Sequence, residues 1–294
     1  MKQSVINFVK EILPEVLVEY VRALRKKRRI QSRFEINQGK DVLVDIKIAE
    51  KSFSIYINPY LNGGVDDGIY RSGEWEPEIS NLIRKYLSPG DTFIDIGANI
   101  GYHTLHAATL VGDSGKVVAF EPLPRLSEQM TRSIKENNFS NITVFDLALS
   151  DKIGKVNLSL VSENVGASSI QVVEHERSVH SKVVVDVNRL DKFISEFIQV
   201  DMIKIDIEGS EFEALIGGEE LLKKFKPVII LEFSPNIYEQ DYIGKTQSLY
   251  KYLKDLGYHI AVIDEDISDL EEKIKVGDFR DLHTNLICLP DNKV

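Results

Sequence analysis

The 294-residue sequence has a single cysteine, no apolar run long enough to cross a membrane, and no excess of basic residues. Cys288 alone cannot form an internal disulfide or a multi-cysteine zinc site, and its apolar surroundings predict a buried thiol. A membrane span needs roughly 18 apolar residues in succession, which the sequence does not supply. The formal charge of −10 argues against a general nucleic-acid binder, because such proteins attract phosphates with basic surfaces. These absences favour a globular protein of the reducing cytoplasm.

The first thirty residues carry the pattern of an amphipathic helix with a basic end at residues 25–29. Such a helix can lie on an anionic membrane surface as a peripheral contact. It can equally pack on the domain or on a second subunit of a homo-oligomer, and the sequence leaves these alternatives open. The apolar face would consist of Val5, Phe8, Val9, Ile12, Val16, Tyr20 and Leu24.

From residue 91 onward, short apolar strands alternate with longer amphipathic helices. This alternation predicts an α/β protein with a doubly wound, mostly parallel, seven-stranded sheet. The predicted strands span 92–96, 117–121, 142–147, 202–207, 228–233, 259–263 and 284–289. The predicted helices span 101–111, 124–137, 210–224 and 246–256.

We divide the chain into an N-terminal helical and β extension, residues 1–74, and a Rossmann-like domain, residues 75–294. The extension would hold the amphipathic helix, two alternating strands within residues 41–57, and a turn-rich surface loop at 58–68.

An insert at residues 155–190 interrupts the strand–helix pattern with two strand-like runs, which predict a β-hairpin. The polar stretch between the two runs contains His175 and His180. It is interpreted either as a mobile lid over a bound acceptor or as a plain solvated loop.

The stretch "FIDIGANIGYHT", residues 93–104, predicts a strand, a glycine turn and the start of a helix. Asn99 and Tyr102 stand where a dinucleotide fingerprint needs its second and third glycines, and no Gly-Lys-Ser/Thr phosphate motif follows. Glu121 ends the next strand, where it can accept both hydroxyls of a ribose. A ribose ligand without a pyrophosphate fits S-adenosylmethionine, whose aminocarboxypropyl tail would approach the amides of the turn. The helix that starts near Gly101 would offer free N–H groups to a carboxylate.

Five stretches occur in the order found in one family: "FIDIGANIGYHT", "AFEPLP", "GASSI", "MIKIDIEGSEFEALIGG" and "VIILEFSP". Over about residues 75–290 the sequence resembles the FkbM family of S-adenosylmethionine-dependent methyltransferases, in the class I Rossmann-like group. The resemblance implies a seven-stranded sheet whose last strand is reversed. It also implies O-methylation, often of a sugar or a polyketide hydroxyl.

The resemblance further implies which residues hold the cofactor. Gly97, Asn99 and Gly101 would line its amino acid end, Glu121 would hold the ribose, and Ala148 with Leu149 would lie near the adenine. Glu76 matches an acidic residue that precedes the glycine motif, although the dipole of a following helix also favours an acid there. The complete predicted cofactor-binding set is Glu76, Asp95, Gly97, Ala98, Asn99, Gly101, Glu121, Pro122, Ala148 and Leu149.

Charged residues interrupt the predicted strand "MIKIDIEGSE", which should be apolar if helices cover both faces of the sheet. Methyl transfer to a hydroxyl requires removal of its proton, so Asp206 and Glu208 are candidate catalytic residues and His103 is the third. Alternatively, Lys204 and Asp206 form a structural ion pair. Asp206, Glu208 and Glu232 could hold magnesium, but nothing in the sequence requires it, and we predict no metal site.

These observations predict a cytoplasmic O-methyltransferase with a small-molecule or glycan acceptor, a sugar hydroxyl of a saccharide or glycolipid first among them. A peptide, lipid or polyketide acceptor is the alternative within the same class. A non-catalytic protein that binds the adenosyl cofactor is a different class, which the retained Asp95, Glu121 and Asp206 count against. An NAD-dependent oxidoreductase is disfavoured by Asn99 and Tyr102 in the glycine turn.

Overall fold

The fold is taken from a computed structural model that describes residues 41–58, 64–161, 179–235, 242–263, 270–279 and 283–293. The predicted amphipathic helix at the N-terminus and His175 lie outside the described residues, as does the side chain of His180. Within the part of the chain that is described, no helix combines the length and the apolar character needed to cross a membrane.

Twelve strands and eight helices are described. The strands are β1 (Val42–Ile48), β2 (Lys51–Ile57), β3 (Thr92–Ile96), β4 (Lys116–Phe120), β5 (Ile142–Phe145), β6 (Ala148–Leu149), β7 (Gly154–Val161), β8 (Val179–Asn188), β9 (Met202–Ile205), β10 (Val228–Phe233), β11 (Tyr258–Val262) and β12 (Thr284–Pro290). The helices are α1 (Gly64–Ser72), α2 (Pro77–Tyr86), α3 (Tyr102–Val111), α4 (Pro124–Glu136), α5 (Glu211–Gly217), α6 (Glu219–Phe225), α7 (Tyr242–Asp255) and α8 (Leu270–Val276), with a 3-10 helix at Leu190–Glu196.

Seven strands form the central sheet in the order β11-β12-β10-β9-β3-β4-β5. The pairings among β10, β9, β3, β4 and β5 are all parallel, whereas β12 runs antiparallel to both β10 and β11. The prediction of a seven-stranded, mostly parallel sheet with a reversed last strand is therefore confirmed. Because β3, β4, β9 and β10 run in the same direction, their carboxyl ends meet at one edge of the sheet, where ligands bind in such folds.

Apolar side chains cover both faces of this sheet, which is why its strands lack a polar face. Ile94 of β3 and Ile203 of β9 are buried in one core cluster, whereas their chain neighbours Phe93 and Met202 are buried in another. Successive residues of a strand point to opposite faces, so each strand contributes to both cores. Burying side chains of this size stabilises the fold by about 1.5–3 kcal/mol each.

The predicted strands before the sheet form an antiparallel hairpin, β1–β2, that packs on α4. Asn137, at the end of α4, both donates and accepts a hydrogen bond with the backbone of β2. Its Oδ1 accepts from the amide of Ser54 at 2.7 Å, and its Nδ2 donates to the carbonyl of Ser54 at 2.6 Å. The predicted insert also forms an antiparallel hairpin, β7–β8, which extends by a parallel pairing to β6.

The prediction of a surface loop at residues 58–68 is wrong for its second half, because α1 begins at Gly64. The turn-forming residues obscured an amphipathic pattern whose buried side is Val65, Asp66 and Ile69. Asp66 is satisfied inside the fold, since its Oδ1 accepts from the amide of Asn58 at 2.6 Å. Residues 59–63 lie outside the described residues.

The single helix predicted at 210–224 is interrupted at Gly218, which separates α5 from α6. Close packing explains the break. A Cβ added at Gly217 would stand 2.1 Å from the carbonyl oxygen of Ser150, and one at Gly218 would stand 2.9 Å from Leu190. The two glycines therefore allow the helix pair to contact β6 and the 3-10 helix.

Candidate active site

Two cavities lie side by side at the carboxyl edge of β3, β4 and β9. We call the first the apolar cleft; Phe120, Glu121, Pro122, Ala148 and Leu149 are among its lining residues. We call the second the acidic cavity; it encloses about 330 Å³, and Trp75, Glu76, His103, Lys204, Glu232 and His283 are among its lining residues. The two cavities share a wall formed by Gly97, Asn99, Asp206 and Glu208.

The shared wall depends on close approach between the turn after β3 and the turn after β9. A Cβ added at Gly97 would stand 1.9 Å from the carbonyl oxygen of Asp206, and the φ of Gly97 is +79°. Both the contact and the backbone conformation therefore require glycine. Gly101 has a different role, because a Cβ there would stand 2.5 Å from Cγ of Met130 on α4. Gly101 lies outside the lining of both cavities and instead allows α3 to pack against α4.

The amides of the glycine turn make hydrogen bonds within the protein. All five amides of residues 97–101 donate hydrogen bonds within the protein. The first two donate to the carbonyl of Phe120, the third to the carboxylate of Glu121, and the last two to acceptors inside the turn. The turn therefore holds Glu121 in place rather than presenting an open anion site.

Glu121 lies at the carboxyl end of β4 and is 5% exposed. Its Oε2 accepts from the amide of Asn99 and its Oε1 from the amide of Leu123, each at 2.9 Å. Burial raises the pKa of Glu121 to about 7, against the opposing effect of these two hydrogen bonds. Each carboxylate oxygen keeps a second lone pair, so two further donors can be accepted from the cleft.

Lys204, which is buried, forms an ion pair with the half-buried Asp206 of the shared wall. Nζ of Lys204 lies 3.1 Å from Oδ2 of Asp206 and 3.9 Å from Oδ1 of Asp95. Burial opposes both charges, but their attraction prevails, so the pKa of Lys204 is raised and that of Asp206 is lowered. Asp95 also accepts a 2.6 Å hydrogen bond from Thr104 and lies outside the lining of both cavities. The structure thus places Asp95 behind the site, where it supports Lys204.

Glu232, on β10 beside β9, has its pKa shifted in the opposite direction to that of Asp206. Burial and the charges of Asp206, Glu208 and Glu211 raise the pKa of Glu232 well above its ordinary value. Oε1 of Glu232 accepts a hydrogen bond from Oγ of Ser234 at 3.1 Å. Acidic groups of unequal pKa in one cavity are a common feature of sites that move protons.

Glu76 and His103, which are 27 positions apart, meet on the far wall of the acidic cavity. Oε2 of Glu76 lies 2.9 Å from Nε2 of His103. Glu76 precedes α2 with a φ of 42° and makes no side-chain cap to that helix. Glu76 therefore lines the acidic cavity and does not line the apolar cleft.

Backbone strain is concentrated at this cavity. Six described non-glycine residues have positive φ, and three of them, Glu76, Asn99 and Glu208, line the acidic cavity. Each such residue costs about 1–3 kcal/mol, and strain of this kind is typical of functional sites.

Trp75 and His283 are among the lining residues that the sequence interpretation missed. Trp75 is the only tryptophan of the chain, and its position next to Glu76 was a signal that could have been used. His283 approaches Glu232 from the start of β12, with Nδ1 2.6 Å from Oγ of Ser234, and no local pattern marks it. Among the described residues, no group of three or more histidine, cysteine or carboxylate side chains is arranged to hold a metal ion.

Comparison with known proteins gives one family match. The sequence profile of the Methyltransferase FkbM domain matches residues 95–260, which is more than half of the chain. The chain is 28% identical over 187 residues to Methyltransferase 1 of Beauveria bassiana, with 57% of this chain and 73% of that protein covered. It is 24% identical over 155 residues to the hexuronic acid methyltransferase AglP of Haloferax volcanii, with 53% and 61% covered.

Among solved structures, the chain is similar to a methyltransferase FkbM from Methylobacillus flagellatus KT. The similarity has a TM-score of 0.43 at 18% sequence identity and covers 75% of this chain. The chain spans about half of that protein, since 52% of its length is covered.

Proposed function

Because the chain belongs to the FkbM methyltransferase family, we propose that it methylates a sugar hydroxyl of a saccharide or glycolipid. The methyl donor is S-adenosylmethionine. The observation that carries this proposal is the shared wall of Gly97, Asn99, Asp206 and Glu208. A donor in the apolar cleft and an acceptor in the acidic cavity would meet at this wall.

The residues of the apolar cleft fit the nucleoside of the donor. Glu121 is held by two backbone amides and keeps one lone pair on each oxygen, which matches the two hydroxyls of a ribose. Pro122, Ala148 and Leu149 supply apolar surface for the adenine ring. The donor carries an electrophilic methyl group on a positively charged sulfur. That charge suits a shared wall that contains Asp206 and Glu208.

The reaction requires an oxygen nucleophile in line with the methyl group. The acceptor oxygen forms a bond to the methyl carbon, the bond from that carbon to sulfur breaks, and the hydroxyl proton passes to a base on the protein. Asp206 is a weak base, because Lys204 holds its pKa below the ordinary value. We therefore assign Glu208 as the base and Asp206 as the group that orients the hydroxyl. His103, which is hydrogen-bonded to Glu76, lines the acidic cavity on the acceptor side.

The sugar acceptor is favoured by one relative and by the chemistry of the cavity. The name of AglP states that it methylates a hexuronic acid, and such a sugar offers only oxygen atoms as nucleophiles. In this chain, carboxyl groups and an aromatic ring line a cavity of about 330 Å³, a combination suited to a polyhydroxylated ring.

Calorimetric titration with S-adenosylmethionine, S-adenosylhomocysteine and NAD tests the donor. We expect both adenosyl ligands to bind, Glu121→Ala to weaken them, and Glu128→Ala, at an exposed position of α4, to leave them unchanged. Transfer of a labelled methyl group to a panel of monosaccharide glycosides, peptides and lipid headgroups then tests the acceptor. Binding of NAD alone, or transfer to peptides and not to sugars, would contradict the proposal.

A further inference from the structure

The acidic cavity has more negative than positive groups. Four carboxyl groups line it, and among the described lining residues Lys204 supplies the only ammonium. Lys204 is engaged by Asp206 at 3.1 Å and by Asp95 at 3.9 Å. The imidazole of His103 is engaged by Glu76, and Nδ1 of His283 lies 3.7 Å from Oε1 of Glu232. The four carboxyl groups are those of Glu76, Asp206, Glu208 and Glu232.

This imbalance persists when the protonation of the cavity is taken into account. Burial raises the pKa of Glu232 well above its ordinary value. Without Glu232, three lining carboxyl groups still stand beside the single ammonium of Lys204, namely those of Glu76, Asp206 and Glu208. A further anion placed among them would be repelled at short range, in a partly buried setting where solvent screens poorly. Hydroxyl and ammonium groups would instead donate charge-assisted hydrogen bonds to the same carboxylates.

Trp75 gives the cavity an apolar surface next to these acceptors. The residue is half-buried, and its indole ring contacts α1 so closely that a Cβ on Gly68 would stand 2.3 Å from Cε3. The ring is therefore held in place while it lines the cavity. The C–H face of a pyranose can pack on such a ring while its hydroxyls reach the carboxylates.

We propose that the acceptor ring carries no negative charge, and that the acidic cavity selects neutral and amino sugars and rejects sugars that bear a carboxylate. This inference rests on the proposed function, and it names the class of sugar within it. It also separates this chain from AglP, whose name states that it acts on a hexuronic acid.

The fluorescence of Trp75 provides a direct binding test, because the chain has no other tryptophan. Methyl glycosides in matched sets, each with a neutral, an amino and a uronic acid member of the same stereochemistry, would be titrated with S-adenosylhomocysteine present. We expect the neutral and amino members to bind about tenfold or more tightly than the uronic acid member. Labelled methyl transfer should follow the same order.

Charge variants identify the cause of the preference. Glu76→Gln keeps a hydrogen-bond partner for His103 and removes one negative charge, so it should narrow the difference between the neutral and uronic acid members several-fold. Asp113→Asn removes a charge at an exposed position beyond the end of α3 and should leave the difference unchanged.

Tighter binding of uronic acids, or a difference that Glu76→Gln does not change, would overturn the inference and leave the proposed function standing. Failure of every sugar to bind, in protein that binds S-adenosylhomocysteine, would overturn both.

Discussion

Oε2 of Glu76 lies 2.9 Å from Nε2 of His103, so a residue before α2 and a residue in the first turn of α3 form one wall of the acidic cavity. His103 is 4% exposed, and its other ring nitrogen, Nδ1, is buried without a hydrogen-bond partner. The bond to Glu76 therefore sets the orientation of the ring. This pair explains how two residues that were assigned different roles from the sequence act on the same part of the site.

Weakening this pair should lower methyl transfer more than donor binding. For Glu76→Ala we expect the rate of methyl transfer to fall about tenfold or more, because His103 loses the group that orients it. Binding of S-adenosylhomocysteine should change less than about threefold, since Glu76 does not line the apolar cleft. Single-turnover kinetics measures the rate of methyl transfer, and calorimetric titration measures the affinity for S-adenosylhomocysteine.

The matched control is Glu74→Ala, an exposed carboxylate two positions away. It should leave both quantities unchanged. Equal losses of donor binding and transfer in Glu76→Ala would show that Glu76 holds the donor, as the family resemblance implied.

The buried ammonium of Lys204 should be essential for stability. In Lys204→Met, Asp206 and Asp95 lose their positive partner, and a buried charge left without one costs about 3–5 kcal/mol. Urea unfolding measures this loss. Adding Asp206→Asn to Lys204→Met should recover part of it, because the substitution removes the stranded carboxylate. By contrast, Lys223→Met breaks an exposed pair with Glu219 and should cost less than about 1 kcal/mol. Equal effects at the two lysines would contradict the ion-pair assignment.

Binding of the donor should depend on pH through Glu121. Burial raises the pKa of this carboxyl to about 7, and the ionised form offers acceptors to both ribose hydroxyls. The association constant of S-adenosylhomocysteine should therefore rise about tenfold between pH 6 and pH 8, as the ionised fraction grows.

The free energy of unfolding should change with pH in the opposite direction to donor binding. The pKa of Glu121 is higher in the folded protein than its ordinary value of 4.5. Its contribution to the free energy of unfolding is therefore full below pH 4.5 and is lost as the pH rises through about 7.

The control for the binding prediction is Glu121→Gln, which should bind S-adenosylhomocysteine weakly and with little change between pH 6 and pH 8. If the association constant of Glu121→Gln still rose between pH 6 and pH 8, a group other than Glu121 would cause the pH dependence of binding.

The strands were predictable because their apolar runs are bounded by turns and each lies between polar segments. β9 shows the limit of this approach, since Lys204 interrupts it and the predicted strand continued two residues beyond Ile205. Glu121 and Asp206 were also predictable as site residues, because the carboxyl ends of parallel strands must meet.

The composition of the acidic cavity could not be derived from local patterns. Glu76 meets His103 only because α2 and α3 pack together, and the pKa of Glu232 is raised because the pairing of β10 with β9 buries it beside Asp206. His283 reaches the cavity from the start of the reversed strand β12, 180 positions from His103 along the chain. Each of these relationships depends on helix packing or on strand order, and a single sequence specifies neither.

Gly97 should be required for the shared wall, and the chain contains a matched control for this prediction. Gly97 and Gly257 both have a φ of +79°, but an added Cβ at Gly257 would have its nearest neighbour at 3.6 Å rather than 1.9 Å. Gly257→Ala should therefore cost only the strain of the backbone conformation, about 1–2 kcal/mol. Gly97→Ala adds a clash with the carbonyl of Asp206, which can be relieved only by separating the turns after β3 and β9.

We expect Gly97→Ala to lower the free energy of unfolding by about 3 kcal/mol more than Gly257→Ala does. Addition of S-adenosylhomocysteine should raise the melting temperature of Gly257→Ala as it does for the unmodified protein. The same ligand should raise the melting temperature of Gly97→Ala only slightly. In that variant the displaced turn moves Asn99, whose amide is one of the two that hold Glu121. If both variants lose stability equally and bind the ligand equally, the two turns are not in the contact described, and the wall between donor and acceptor must be built differently.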